Sequence, residues 1–195
     1  VDVQGYLVEV LSGMKFSEFL QQRIFGPLDM KDTAFKVNEG NKDRLTQLYK
    51  PEGVTAGNFF APSTGDGLEV ADAFVSAGYI YGSKFESGGG GLIATARDYL
   101  RFSQMMLNGG VLHGVRILSP KTVDLMTTNH IGDLGLIFGR KGIGFGLDFG
   151  VVLNPGDVGE VSSAGEYNWG GAAGTRFWVS QIRRYTVYGP VRDVH

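Results

Sequence analysis

The chain has 195 residues, the size of one domain or of part of a larger one. Its 18 Lys and Arg nearly balance its 20 Asp and Glu, so nucleic acid, which needs a basic face, is not a predicted partner. The absence of cysteine excludes disulfides, thiol catalysis and cysteine-ligated zinc. The three histidines, His113, His130 and His195, are too far apart in the sequence to predict a metal site.

The sequence begins inside a helical pattern. Val3, Leu7, Val10 and Leu11 recur at the spacing of one face of an amphipathic helix, and Ser12-Gly13 ends it. Because no cap precedes this helix, we expect the chain to be the C-terminal piece of a longer protein. Residues 1–10 show no signal-peptide pattern, and no run of about 18 apolar residues predicts a membrane span. The compartment, cytoplasmic or periplasmic, stays open.

Three further helices are predicted downstream. The first covers Ser17–Ile24. Residues 36–85 lack periodicity and indicate a long, ordered surface excursion. Thr95-Ala96-Arg97-Asp98 is a capping box, and it opens a helix that stops at Asn108-Gly109-Gly110. Ser119-Pro120 places serine at the N-cap and proline at the first position of another helix.

The C-terminal part has the period of strands. Residues 144–151 alternate between apolar and small or polar types, which predicts one strand. Tyr167–Gly171 and Thr175–Val179 predict two more, joined by Ala172-Ala173-Gly174. Helices followed by antiparallel hairpins are typical of an α+β fold. We therefore expect a helical and loop-rich region over residues 1–141 and antiparallel strands over 142–195, within a single incomplete domain.

Three segments are candidates for chemistry. The tetraglycine Gly88–Gly91 lacks the Gly-Lys-Ser/Thr of a phosphate loop and is interpreted as a tight turn. Ser12-Gly13-Met14-Lys15 matches Ser-x-x-Lys, but Ser12 ends a helix and Gly13 breaks the register, so we interpret it as a chance match. Asn168–Gly174 has two interpretations. It is either an edge strand whose N–H groups supply half of an oxyanion hole, or a glycine-rich hairpin with a buried Trp. Composition alone favours the hairpin.

Three blocks in this order resemble the serine β-lactamase and penicillin-binding-protein superfamily, in its class C and carboxylesterase branch. They are Phe25–Phe35, Gly88–Phe102 and Trp169-Gly170-Gly171, and together they span most of residues 1–179. The resemblance implies the β-lactamase/transpeptidase-like fold, a helical region plus an antiparallel sheet, of which this chain is the C-terminal portion. It implies no cofactor.

The resemblance also implies a chemistry of acyl transfer. In the family, the serine of Ser-x-x-Lys attacks a carbonyl, the lysine and a tyrosine handle protons, and a third motif lines the opposite wall. Only the third motif is present, so nucleophile and base are expected upstream of Val1. Trp169-Gly170-Gly171 takes the place of Lys-Thr-Gly as the substrate-binding wall, and the Ala172 N–H takes the oxyanion-hole position. Trp-Gly-Gly is similar to the esterase branch.

The expected function is therefore that of a serine hydrolase fragment, whose full-length enzyme cleaves small-molecule carboxylic esters through an acyl-enzyme. A β-lactamase or D-amino-acid peptidase of the same superfamily is the alternative, as is a pseudoenzyme or peptide-binding module that uses the Trp169 strand. Self-association through an uncovered sheet is also expected.

The tail after Val179 departs from the family, which has a hydrophobic last strand and a helix packed across it. One back-translation of Tyr185–Val191, read one base later, encodes a hydrophobic segment. The tail is hypothesised to be out of frame.

Overall fold

The computed structural model describes residues 1–54, 65, 67–71, 78–132, 140–171, 174–182 and 184–190. The chain divides into two compact units, Val1–Phe25 with Lys31–Thr95, and Gly26–Met30 with Ala96–His195. The predicted division of the chain into a helical region over residues 1–141 and antiparallel strands over 142–195 stays a prediction. None of the described helices is long and apolar enough to cross a membrane.

The first unit begins with two helices. Helix α1 covers Asp2–Ser12 and ends at Gly13, which has the left-handed φ of 69° that the sequence predicts for a glycine stop. Helix α2 covers Phe16–Leu20 and continues as a π-helical turn over Gln21–Phe25. A 3₁₀ helix over Glu39–Arg44 follows, and then an antiparallel pair of strands, β1 (Tyr49–Pro51) and β2 (Leu68–Val70).

In the second unit, helix α3 covers Ala96–Leu107 and ends before Gly109 and Gly110, both at positive φ. The short hairpin of β3 (Val111–Leu112) and β4 (Val115–Arg116) leads to helix α4, Pro120–Met126. The Ser119 hydroxyl accepts a hydrogen bond from the Thr122 N–H at 3.1 Å, as its N-cap position predicts. The predicted helix starts after Thr95 and after Ser119 are confirmed, as is the predicted glycine stop after α3.

The rest of the second unit is a five-stranded antiparallel sheet in the order β5-β6-β7-β8-β9. Its strands are β5 (Ile143–Phe145), β6 (Gly150–Val152), β7 (Tyr167–Gly170), β8 (Thr175–Ser180) and β9 (Tyr185–Pro190), with a short helix α5 (Pro155–Val158) between β6 and β7. Helix α3 packs on the sheet, where the Tyr99 ring lies 5.0 Å from the ring of Phe177. Tyr167 and Val179 are fully buried. Helices and an antiparallel sheet confirm the predicted α+β fold.

The single strand predicted over residues 144–151 is wrong, because the segment is a hairpin. Strands β5 and β6 pair with each other, and the Gly146 N–H donates to the Phe149 carbonyl at 2.8 Å across the turn. Asp148 adopts a left-handed φ of 65°. A Cβ on Gly146 would collide with the Met126 carbonyl oxygen. The turn therefore lies where the end of helix α4, which is distant in the sequence, approaches the backbone.

The tail forms the last strand of the sheet. Strand β9 pairs with β8 over six residue pairs, from Thr175 opposite Pro190 to Ser180 opposite Tyr185. Pro190 lies at the end of β9, an outer strand of the described sheet, where a proline is tolerated. The out-of-frame hypothesis stays a prediction.

Candidate active site

Strand β7, which contains Trp169 and Gly170 of the Trp-Gly-Gly segment, lies in the middle of the sheet and is not the edge strand that one interpretation expected. It pairs with β8 along its whole length, from Tyr167 to Gly170. Its pairing with β6 involves only Tyr167 and Asn168. The Trp169–Gly170 end therefore extends beyond the β6 ladder. The sequence could not predict this, because the length of β6 is set by the turn at Gly146.

The backbone of Gly170 points to the open side of β7. The Gly171 N–H donates to the Thr175 carbonyl of β8 at 2.8 Å. In an antiparallel pair, the N–H and C=O of successive residues point alternately to opposite sides. The Gly170 groups are thus directed toward the side of β6, where the ladder with β6 has ended. An extended substrate backbone could approach the strand there.

Aromatic packing holds Trp169 in place. The side chain is half-buried, and its ring meets the ring of Phe145 edge-on at a centroid distance of 5.2 Å. Its cross-strand partner is Phe177, which also contacts the ring of Phe149. The part of the indole that stays exposed offers an apolar surface beside the open end of β7.

The two glycines differ in their steric surroundings. A Cβ on Gly171 would lie 2.7 Å from the Thr175 hydroxyl, whereas a Cβ on Gly170 would meet its nearest atom at 3.4 Å. A residue with a side chain would therefore fit less easily at Gly171 than at Gly170. The next residue, Ala172, lies outside the described residues, so its oxyanion-hole N–H stays a prediction.

The tetraglycine packs against the start of α1. The Asp2 carboxylate accepts hydrogen bonds from the Ser87 hydroxyl at 2.7 Å and from the Gly89 N–H at 3.0 Å. The bond from Ser87, with that from Gly89, holds the pKa of Asp2 below its usual value. The Gly90 and Gly91 N–H groups donate to the Ser87 hydroxyl and carbonyl. Occupied amides beside a carboxylate do not suit phosphate, which agrees with the tight-turn interpretation.

Two of the resemblance blocks meet near this turn. Ala34 and Ile93 exchange both backbone hydrogen bonds, at 3.1 and 2.9 Å. A Cβ on Gly91 would lie 2.8 Å from the ring of Phe35. The two blocks are therefore in direct contact through both backbone and side chain.

The geometry at Ser12 supports the interpretation of Ser12-Gly13-Met14-Lys15 as a chance match. Ser12 is the last residue of α1, and its hydroxyl accepts a hydrogen bond from the Met14 N–H at 3.2 Å. Lys15 lies beyond the left-handed Gly13, at the N-cap of α2. Serine and lysine do not share one helix, as proton transfer between them in Ser-x-x-Lys requires.

Sequence reasoning missed the Asp2–Ser87 contact and the burial of Tyr167. The Tyr167 hydroxyl is buried, no hydrogen-bond partner for it lies among the residues that the structure describes, and burial raises the pKa of this phenol. Although it lies two residues before Trp169, it stays protonated and is no candidate base. Among the described residues, no group of three or more His, Asp or Glu side chains could hold a metal ion.

Comparison with known proteins places the chain in a family. The Beta-lactamase family model matches residues 1–188, so the chain belongs to this family. Protein Rv1367c of Mycobacterium tuberculosis is 31% identical over an alignment of 185 residues that covers 90% of this chain and 43% of the relative. Esterase EstB of Burkholderia gladioli is 26% identical over 93% of this chain and 45% of its own length. The suspected resemblance is confirmed.

A solved structure supports the fold assignment. EstCE1, described as a hydrolase with promiscuous acyltransferase activity, superposes with a TM-score of 0.78 at 21% identity. The match covers 96% of this chain and 48% of the EstCE1 chain. The chain thus spans about half the length of the relatives it matches.

Proposed function

We propose that this chain is the part of a serine esterase that forms the wall of the active site opposite the nucleophile. The complete enzyme would hydrolyse carboxylic esters through an acyl-enzyme. In this role Trp169 contacts the substrate, Gly170 and Gly171 let its backbone approach, and the Ala172 N–H binds the developing oxyanion. Ser-x-x-Lys and the tyrosine would come from the remaining part of the family fold.

The observation that carries this proposal is the Trp169–Gly170 end of β7. An enzyme with Lys-Thr-Gly there uses a cation and a hydroxyl to hold the carboxylate that β-lactams carry. Trp169 and Gly170 offer neither group, so a charge-assisted contact of about 1.5–3 kcal/mol is lost. The half-buried indole instead suits an uncharged alkyl or aryl group. The names of two relatives, Esterase EstB and the Lovastatin esterase of Penicillium rubens (30% identical over 68% of this chain), support the same reading.

The test compares substrates on the complete protein that contains this chain. We expect kcat/KM for short nitrophenyl esters to be far above that for penicillins and cephalosporins. Comparable values for a cephalosporin and a short ester would refute the esterase assignment. A complete protein that binds peptides but gives no acyl-enzyme burst would support the non-catalytic alternative.

The oxyanion role of residue 172 needs a matched pair of variants. Ala172→Pro deletes the N–H donor, whereas Ala172→Gly keeps it and removes only the methyl group. We expect the proline variant to lose on the order of 10²–10³ in kcat and the glycine variant to stay close to the parent. An active, folded Ala172→Pro enzyme would contradict the oxyanion role and leave the esterase assignment to the substrate comparison.

A further inference from the structure

The indole of Trp169 has a second aromatic ring beside it, that of Phe145. The two ring centroids lie 5.2 Å apart, and the ring planes cross at 68°. Both side chains are half-buried, so each keeps part of its surface accessible. Two rings that meet at a steep angle form two walls of a corner and not one flat surface. This pair, Phe145 and Trp169, is here called the aromatic corner.

The aromatic corner lies at the open end of β7. Phe145 is the last residue of β5, and its cross-strand partner Gly150 is the first residue of β6. The ladder between β6 and β7 ends at Gly150, opposite Asn168 and one residue before Trp169. A Cβ on Gly150 would lie 3.6 Å from Cε3 of the indole, an ordinary van der Waals distance. The indole therefore packs beside the backbone of Gly150, next to the ring of Phe145.

Hydrogen bonds from the loop after α4 hold the backbone of Phe145. Its N–H donates to the Asn129 side-chain oxygen at 3.1 Å, and its carbonyl accepts from the His130 N–H at 2.8 Å. The same Asn129 oxygen accepts from the Ile131 N–H at 3.2 Å, so the loop and the strand share one acceptor. Because the backbone under the ring is already held, little conformational freedom is lost when a ligand packs on it.

A flat aromatic group fits such a corner better than an alkyl group of the same size. Aromatic pairs favour offset-stacked and edge-to-face arrangements, which contribute to binding beyond the burial of apolar area. A ring that stacks on one wall of the corner presents its edge to the other wall, so both arrangements are satisfied together. A cyclohexyl group buries a similar apolar area but has neither an aromatic face nor an aromatic edge, so only the burial of area remains.

We propose that the aromatic corner selects esters that carry a flat aryl group, and that Phe145 is the residue that determines this specificity. The inference rests on the proposed esterase function and names the substrate class within it. Trp169 by itself offers one stacking surface. Phe145 adds the second ring, and with it the edge contact that an alkyl group cannot use.

The test compares the nitrophenyl esters of 3-phenylpropanoate and 3-cyclohexylpropanoate on the complete protein that contains this chain. Methylene groups separate each ring from the carbonyl, so the two esters have nearly equal chemical reactivity. We expect kcat/KM to favour the phenyl ester about five- to tenfold, through KM and not through kcat. The acetates of 2-phenylethanol and 2-cyclohexylethanol repeat the comparison with the ring on the alcohol side, and a preference in either series supports the inference.

Three variants assign the preference to the aromatic corner. Phe145→Leu keeps an apolar side chain but removes the ring, and it should lower the ratio to about two or less. Phe145→Tyr keeps the ring and should keep the preference. Phe102→Leu makes the same change at another half-buried phenylalanine, on helix α3, where the ring lies 6.0 Å from that of Tyr99. It is the matched control and should leave the ratio unchanged. A ratio measured on one sample does not depend on how much of the enzyme is folded, so a destabilised variant still gives an answer.

Two results would overturn the inference and leave the esterase function in place. The first is efficient ester hydrolysis with a ratio close to one in both series. The second is a preference that Phe145→Leu leaves intact. If the complete protein hydrolyses no ester, the proposed function fails, and calorimetric binding of two unreactive amides then tests the aromatic corner. We expect 3-phenylpropanamide to bind at least about fivefold more tightly than 3-cyclohexylpropanamide, and Phe145→Leu to remove the difference. Equal binding of the two amides, or binding of neither, would contradict the inference.

Discussion

Asp29 adopts a left-handed backbone conformation, with a φ of 56°, that favours glycine. Its carboxylate lies 3.2 Å from the Arg101 guanidinium, which also donates to the Leu28 carbonyl at 3.1 Å. The ion pair is partly exposed and contributes at most about 1 kcal/mol. Asp29→Gly removes it but relieves the backbone, whereas Asp29→Ala removes it and keeps the strain. We expect the glycine variant to be more stable than the alanine variant by about 1 kcal/mol in urea unfolding. Equal stabilities would contradict the backbone argument.

Asp2 gives the first unit a pH dependence. Hydrogen bonds from Ser87 and Gly89 lower the pKa of Asp2 in the folded state, so its contribution to stability is present above its usual value of 3.8. That contribution is lost as the pH falls through the lowered folded-state pKa. We expect Asp2→Ala to lower the urea midpoint near pH 7 and the difference from the parent to shrink in strong acid. Ser87→Ala removes the principal donor, and the double variant should add little to either single one. A difference that stays constant with pH would exclude the ionised carboxylate as its source.

At the scale of elements, Gly146 in the turn between β5 and β6 leaves less room for a Cβ than any other glycine that the structure describes. A Cβ on Gly146 would collide with the Met126 carbonyl oxygen, and the Leu147 N–H donates to the same atom at 2.8 Å. Because backbone cannot give way as a flexible side chain can, we expect Gly146→Ala to cost at least about 2 kcal/mol. Gly40→Ala is the control, since no atom lies within 4 Å of a Cβ there, and it should stay within about 0.5 kcal/mol. Thermal unfolding of both variants decides this, and similar losses would contradict the collision.

The same turn shows what the sequence could predict. Helix ends at Gly13 and Ser119 were predictable, because a cap depends on residues within one turn. The alternation over residues 144–151 does not reveal the turn between β5 and β6, because that turn contacts Met126, which is far away in the sequence. The position of the Trp-Gly-Gly strand in a hairpin was predictable, whereas its place in the middle of the sheet depended on which strands pair. Sequence periodicity likewise identifies the apolar face of α1, but it does not predict that Val3, Leu7, Val10 and Leu11 on this face are exposed. Periodicity does not tell which surface a helix face contacts.

At the scale of the whole molecule, the chain carries the wall proposed for the site, whereas its Ser-x-x-Lys match at Ser12 lacks the geometry that acyl transfer needs. The Ser12 hydroxyl accepts a hydrogen bond from the Met14 N–H, and the left-handed Gly13 separates Ser12 from Lys15. No lysine therefore lies one helical turn beyond Ser12 to take its proton. We expect the 195-residue chain alone to show no burst with nitrophenyl esters and no labelling by a serine-directed phosphonate.

Mass spectrometry of the treated chain checks this expectation. The positive control is the complete protein, which should label once, at a serine outside residues 1–195. The matched negative control is Ser12→Ala, which should leave any slow background labelling of the chain unchanged, because an unactivated hydroxyl contributes no more than other exposed serines. Stoichiometric labelling of the parent chain at Ser12, lost in Ser12→Ala, would show that the turn does activate this serine. The nucleophile would then lie within the chain, which would contradict the proposal that the remaining part of the family fold supplies it.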